Sequence, residues 1–344
     1  VRDTLKRFGG LKIGDIRLMQ DFQPTVKNPE LYSGPMNFEV NDISLDISRK
    51  EEGEYLRMNI GKMYSKNDYQ DMELIDMKSF EKDMQKFIEN PEENMSSYFS
   101  GLGGVFGAMP NSGTSVLQTQ DVSFQFKGKG QDIDVKMDKF VTDVSMDGLK
   151  TDVGAFGFAY EFQGLTVSGV PEMYKKYLPE HIVLDMNFDN IPMKKLGELI
   201  QASMTQAFDS ESGKTPEQRQ QMLMITMMSL PQLLTEQGTV MTIEKTKYAS
   251  PTLQTHLNGR VRADAAAVKM AVGEFVLKMV GLDTTIQSIQ TTMNENPEMA
   301  QKLQGALMGL TMAQSMGQLE EDGKTRTYKF ELTADGKMML NGTD

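Results

Sequence analysis

The residues able to do chemistry are few and scattered. The chain carries two histidines, His181 and His256, and no cysteine. The histidines are far apart, and neither has a second at metal-ligand spacing, so each reads as a surface or hydrogen-bonded side chain. Without cysteine there is no disulfide, thiolate nucleophile or cysteine-bound metal. Carboxylates are plentiful at 48, but nothing pairs particular acids as acid–base catalysis requires. Asp185-Met186-Asn187-Phe188-Asp189-Asn190 has calcium-binding residue types, yet lacks the glycine and distal glutamate of a calcium loop, so it reads as a polar strand face. The run Gly101-Leu102-Gly103-Gly104 lacks the Gly-Lys-Ser/Thr ending of a phosphate-cradling loop and reads as a linker or close-packed turn. No catalytic residue, cofactor or metal is expected, and the chain reads as a non-enzyme.

Composition narrows the partners. The net charge is −12 and the pI about 4.9. Basic residues are dispersed, which excludes a nucleic-acid surface built on phosphate neutralisation. Apolar residues at 39% and charged residues at 24% describe a folded protein. The 29 methionines suit irregular core space or an adaptable apolar surface. The apolar stretch Ala265 to Val280 is interrupted by Lys269, Glu274 and Lys278, too polar for a bilayer centre. Val1-Arg2-Asp3 is no initiator sequence, so a leader or membrane anchor is expected ahead of it.

One phrase recurs, an aspartate followed by apolar, any, apolar: Asp15-Ile16-Arg17-Leu18, Asp42-Ile43-Ser44-Leu45, Asp121-Val122-Ser123-Phe124, Asp132-Ile133-Asp134-Val135 and Asp143-Val144-Ser145-Met146. Each alternates, as strands with one dry face do. The aspartates read as strand-entry and edge residues. Short strands are expected at Leu11–Leu18, Phe38–Ile47, Tyr55–Met63 and Asp71–Met77, then a helix over Ser79–Glu89 ended by Pro91. Val122, Phe124 and Phe126 alternate, as do Ile133, Val135 and Met137, then Val141, Val144 and Met146 with a register change. Phe156, Phe158, Tyr160 and Phe162 form an aromatic alternation, and Leu184, Met186 and Phe188 another.

Asn190-Ile191-Pro192 starts a helix with Met193, Leu196, Ile200, Met204 and Phe208 on one face. Thr215-Pro216-Glu217-Gln218 starts a second. A hairpin is expected around Ala249-Ser250-Pro251, an amphipathic helix over Ala263–Val280, and a long helix from about Asp283 to Met316, broken at Asn296-Pro297. A hairpin at Asp335-Gly336 ends the chain. The expected fold class is α+β: an extended, curved antiparallel sheet of meander and hairpins with amphipathic helices packed on one face. Two regions are expected, 1–110 with the first meander and a helix, and 111–344 with the rest, or one continuous elongated domain.

Leu178-Pro179-Glu180-His181-Ile182-Val183-Leu184 with Ile191-Pro192-Met193, Thr239 to Ile243 with Ser250 to Val261, the stretch after Val261, and Tyr328 to Leu332 with Gly336 to Gly342 together resemble the YdgA-like family of bacterial envelope proteins, and more loosely the AsmA-like group. The resemblance covers chiefly residues 178–342. It implies a periplasmic protein, tethered to the inner membrane through a segment ahead of Val1, and supplies no catalytic residues. The expected function is non-enzymatic, binding lipid or a partner protein in an apolar groove of the sheet. The candidate groove residues are Val122, Phe124, Phe126, Phe156, Phe158, Tyr160, Phe162, Leu184, Met186 and Phe188. A self-associating structural module of the envelope, a homo-oligomer, is the alternative.

Overall fold

The structure, a computed structural model, describes residues 10–49, 54–73, 85, 110–128, 130–208 and 215–343. The expected helix over Ser79–Glu89 and the glycine-rich run at 101–109 lie outside them, apart from Gln85, which is helical.

Among the described residues the dominant element is one open, curved antiparallel sheet of 16 strands. Its first edge is a broken strand: β1 (Gly10–Lys12), β2 (Ile16–Gln20) and β3 (Gln23–Pro24). All three pair β4 (Leu31–Arg49). Then come β5 (Glu54–Glu73), β6 (Ser112–Gly128), β7 (Gln131–Asp147) and β8 (Gly154–Gln163), each beside the last, with β9 (Thr166–Ser168) also on β7. The order continues through β10 (His181–Ile191), β11 (Val240–Ala249), β12 (Gln254–Ala263) and β13 (Ala271–Val280) to β15 (Thr325–Leu332), which carries β14 (Gln318–Leu319) and β16 (Met338–Leu340). Every pairing is antiparallel, as hairpin connections require. The β5–β6 ladder joins the two sides of residue 110.

The strands are longer than their apolar phrases suggest. β4 and β5 have 19 and 20 residues, and β6 and β7 have 17 each, or roughly 55–65 Å of chain. The two strands expected at Tyr55–Met63 and from Asp71 are one strand, β5. Asp71, at φ 54°, is a bulge within it, where the register against β4 shifts between Tyr32 and Gly34.

Of the recurring aspartates, Asp15 directly precedes β2 and Asp132 stands at the start of β7, as strand-entry residues do, whereas Asp42, Asp121 and Asp143 lie inside strands. Asp42 and Asp121 lie inside β4 and β6 in the left-handed conformation, φ 55° and 53°, which aspartate tolerates better than most side chains. Pairing passes from Asn41↔Lys62 to Ile43↔Ile60 and from Lys62↔Gln120 to Ile60↔Val122, leaving Asp42, Gly61 and Asp121 abreast outside the ladder. The row continues to Asp138, skipped between Gln120↔Lys139 and Val122↔Met137, and to Gly164, whose added Cβ would strike the Asp138 carboxylate. At this row the apolar alternation steps by three residues: Val40 to Ile43, Met63 to Ile60, Phe140 to Met137. A left-handed residue re-aims the side chains beyond it, and the two copies of the phrase at Asp42 and Asp121 mark that step. The expected register change between Val141 and Val144 falls instead at Asp138.

The helices are α1 (Glu172–Lys175), α2 (Met193–Phe208), α3 (Pro216–Gln237), α4 (Leu282–Glu295) and α5 (Pro297–Met316). Thr215 caps α3 in a reciprocal box with Gln218. Pro297 separates α4 from α5, as the sequence predicts. The helix expected over Ala263–Val280 is instead the end of β12, a turn, and β13. Glu274 and Lys278 are four residues apart, a spacing that puts both on one face of a helix but equally on one face of a strand. Val272, Val276 and Val280 favour the strand. Leu282, Ile286 and Ile289 are among the buried apolar residues, with Val240 and Tyr328 as deep on the sheet. The first three recur at helical spacing on α4, each worth about 1.5–3 kcal/mol on burial.

An open apolar strip as candidate functional site

Directly paired residues share a face, and the register aligns apolar pairs into rows crossing the sheet. One row runs Met36, Asn67, Ser115, Val144, Phe158, Met186, Ile243, Gly259, Phe275, Phe330, Leu340. The next runs Tyr69, Gly113, Met146, Phe156, Phe188, Met241, Val261, Gly273, Leu332. On the other side lie Phe38, Ser65, Leu117, Thr142, Tyr160 and Leu184. Outermost are Val40, Met63, Thr119, Phe140, Phe162, Ile182, Tyr248, Thr255, Met279 and Arg326. In these four rows only Arg326 is charged, and it is neutralised by Asp283 at 3.2 Å.

Seven of the ten expected groove residues fall on this strip: Phe156, Phe158, Tyr160, Phe162, Leu184, Met186 and Phe188. Val122, Phe124 and Phe126 fall outside these four rows. They lie beyond the aspartate row, paired with Met137, Val135 and Ile133. Around β8 the aromatic rings touch: Phe140–Tyr160 stacked at 6.3 Å, Phe158–Tyr160 edge-on at 5.7 Å and Phe158–Phe188 stacked at 6.5 Å. The sequence reading missed Ile243, Phe275 and Phe330. Phe275 was hidden by the helical reading of β13, and the others needed the cross-strand register.

Cover is uneven. Tyr328 is 2% exposed, and its hydroxyl donates to the Ala313 carbonyl on α5 at 2.8 Å. Burial pushes the Tyr328 phenol up from its ordinary value. Tyr160 is 41% exposed and Phe330 40%, so the strip is open to solvent at these rings.

The other face is polar. Glu161 accepts from Gln163, lies 3.0 Å from His181 Nε2 and 3.9 Å from Lys139 Nζ. Burial alone would raise its pKa, but these partners outweigh it and hold the carboxyl below the ordinary value. Asp185 accepts from Asn187 at 3.1 Å, on the face opposite Met186 and Phe188, as expected of a polar strand face. His256 is exposed between Lys247 and Lys278. A shallow depression of about 380 Å³ lies at Gly157, lined in part by Asp68, Ser145, Asp147, Asn187 and Asp189. Among the described residues no cluster of histidine and carboxylate side chains is arranged to hold a metal ion, and no helix is long and apolar enough to cross a membrane.

Comparison with known proteins finds no matching family model, curated protein or solved structure.

Proposed function

We propose that the protein is a non-enzymatic binder of lipid acyl chains, which lie along the open part of the strip between β7 and β11. The observation that carries this reading is the aromatic cluster of Phe140, Phe158, Tyr160 and Phe188, half open and flanked on every paired strand by uncharged residues. Apolar surface of this kind gains about 0.8 kcal/mol for each methylene it takes from water, and nothing charged in the open section opposes an extended chain. In this reading the helices pack on one face, α4 and α5 covering the strip around Tyr328 and leaving the aromatic section for ligand. The resemblance of residues 178–342 to the YdgA-like family supports a periplasmic, envelope setting, where lipids are the available apolar ligands.

Native mass spectrometry of gently purified protein tests the reading. Wild type is expected to carry lipid, and Tyr160→Glu, which sets a charge among the rings at an already exposed position, is expected to lose it while keeping its circular dichroism. A wild type without lipid, or a Tyr160→Glu variant carrying as much, overturns it.

A further inference from the structure

We propose that β2 is a pairing edge for a second copy of this chain, and that the pairing joins two apolar strips into one track. Among the described residues β2 has no strand on its outer side, and such an edge presents unpaired backbone donors and acceptors. Natural edges are blunted by charge, proline or shortness. The opposite edge follows that rule, ending in strands of two and three residues. β2 is also short, five residues with Arg17 among them, but it turns apolar side chains to solvent: Ile16 and Leu18 are each 65% exposed and Met19 59%.

Two observations select a second copy as the occupant. The strip does not stop short of this edge. Ile16 pairs Val40 and Leu18 pairs Phe38, so both residues extend its rows and end them in solvent. The charges are also self-complementary. Antiparallel pairing about a two-fold axis at Ile16 sets Ile16 against its own copy and Asp15 against Arg17, twice, while Gly14 faces Leu18. Because the axis stands perpendicular to the sheet, both apolar faces remain on the same side. A self-complementary patch is what a two-fold interface requires. A contact of one strand buries less than the roughly 1,200 Å² of a standard stable interface, so the dimer is expected to be weak and concentration-dependent. The inference stands apart from the lipid reading, because its tests read copy-to-copy contact with no ligand involved.

The chain has no cysteine, so single substitutions report unambiguously. Ile16→Cys, at the axis, is expected to form a disulfide-linked dimer on mild oxidation far faster than Val26→Cys in the exposed turn. In sedimentation, Asp15→Arg is expected to shift the population to monomer, and the double variant Asp15→Arg/Arg17→Asp to restore the dimer. Equal cross-linking of the two cysteine variants, or a double variant no more dimeric than the single one, overturns the proposal. So does a strictly monomeric wild type whose β2 amides are all protected from exchange, which would show that another segment of the same chain holds the edge.

Discussion

A methyl group placed on Gly61 of β5 would bring its carbon 3.0 Å from the Cβ of Asp121 on β6. The two residues are neighbours in the row where the long strands break their ladder, and the close approach is what allows the sheet to step there. Gly61→Ala is therefore expected to destabilise the fold by about 1–3 kcal/mol through overpacking. Asp121→Val, which forces a β-branched side chain into φ 53°, is expected to cost about as much through backbone strain. Gly197 on α2 is the control, since an added Cβ there meets nothing, and Gly197→Ala is expected to gain about 0.5–1 kcal/mol. Urea denaturation midpoints check all three.

Arg326 on β15 holds the α4–α5 hairpin to the sheet. Its Nε donates to Asp283 Oδ1 at 3.2 Å and its Nη1 to the Gln314 carbonyl at 2.9 Å, while the Gln314 amide also reaches Asp283 at 2.7 Å. Arg326→Ala strips partners from both helices and is expected to cost about 1–3 kcal/mol. Asp283 is partly solvated, so Asp283→Asn is expected to cost less, about 0.5–1 kcal/mol. The local readout is hydrogen exchange: amides of α4 and α5 are expected to lose protection in Arg326→Ala while those of β5 and β6 keep theirs.

What was legible in the sequence was local. The start of α3 is written in Thr215 and Gln218, which bond each other, with Pro216 between them at the first helical position, and the break between α4 and α5 in Pro297 alone. The aromatic alternation of β8 and the apolar alternation of β10 marked the middle of the strip, because a strand facing an apolar layer repeats every two residues whatever its partners. The illegible part is what depends on partners. Nothing near Asp42 or Asp121 says that they lie abreast of Gly61, so both read as strand starts, and β5 read as two strands. Val122, Phe124 and Phe126 alternate as cleanly as Phe156 to Phe162, yet the aspartate row separates the two groups. β13 was misread because its polar residues recur every fourth position, a multiple of both periods.

Glu161 and Asp322 are two of the carboxylates held below their ordinary values, and acid is expected to remove their contributions over different ranges. Glu161 sits below its ordinary pKa of 4.5 because Gln163, His181 and Lys139 outweigh the opposing effect of burial. A depressed folded-state carboxylate contributes stability above its unfolded pKa and loses it as pH falls through the folded value. Its contribution is therefore complete above about 4.5 and disappears below it. Asp322, held at about 2 by the Thr325 hydroxyl and the backbone amides of Lys324 and Thr325, loses its contribution between 3.8 and about 2. Glu161→Gln is expected to flatten the stability curve just below pH 4.5, and Asp322→Asn only at lower pH. Denaturant midpoints measured across this range check the order, and identical curves for the two variants would contradict it.

Tyr328 joins the strip to α5 by two separate interactions that substitution can divide. Its hydroxyl donates to the Ala313 carbonyl at 2.8 Å, and its ring lies against Gly317, where an added Cβ would come 2.6 Å from the ring. Tyr328→Phe keeps the ring and removes one hydrogen bond, so about 0.5–1.5 kcal/mol is the expected loss. Gly317→Ala keeps the bond partner but pushes α5 off a ring that its own strand holds in place, and about 1–3 kcal/mol is expected. The two differ in more than size. Phenylalanine leaves the packed surface in place, so the end of the strip stays closed and exchange at α5 rises only slightly. Alanine displaces the helix terminus, so Met316 and Gly317 amides are expected to exchange faster and Tyr328 to become accessible to solvent quenchers. If Tyr328→Phe opened this end as widely as Gly317→Ala, the hydroxyl bond and not the ring contact would be what holds α5 against β15.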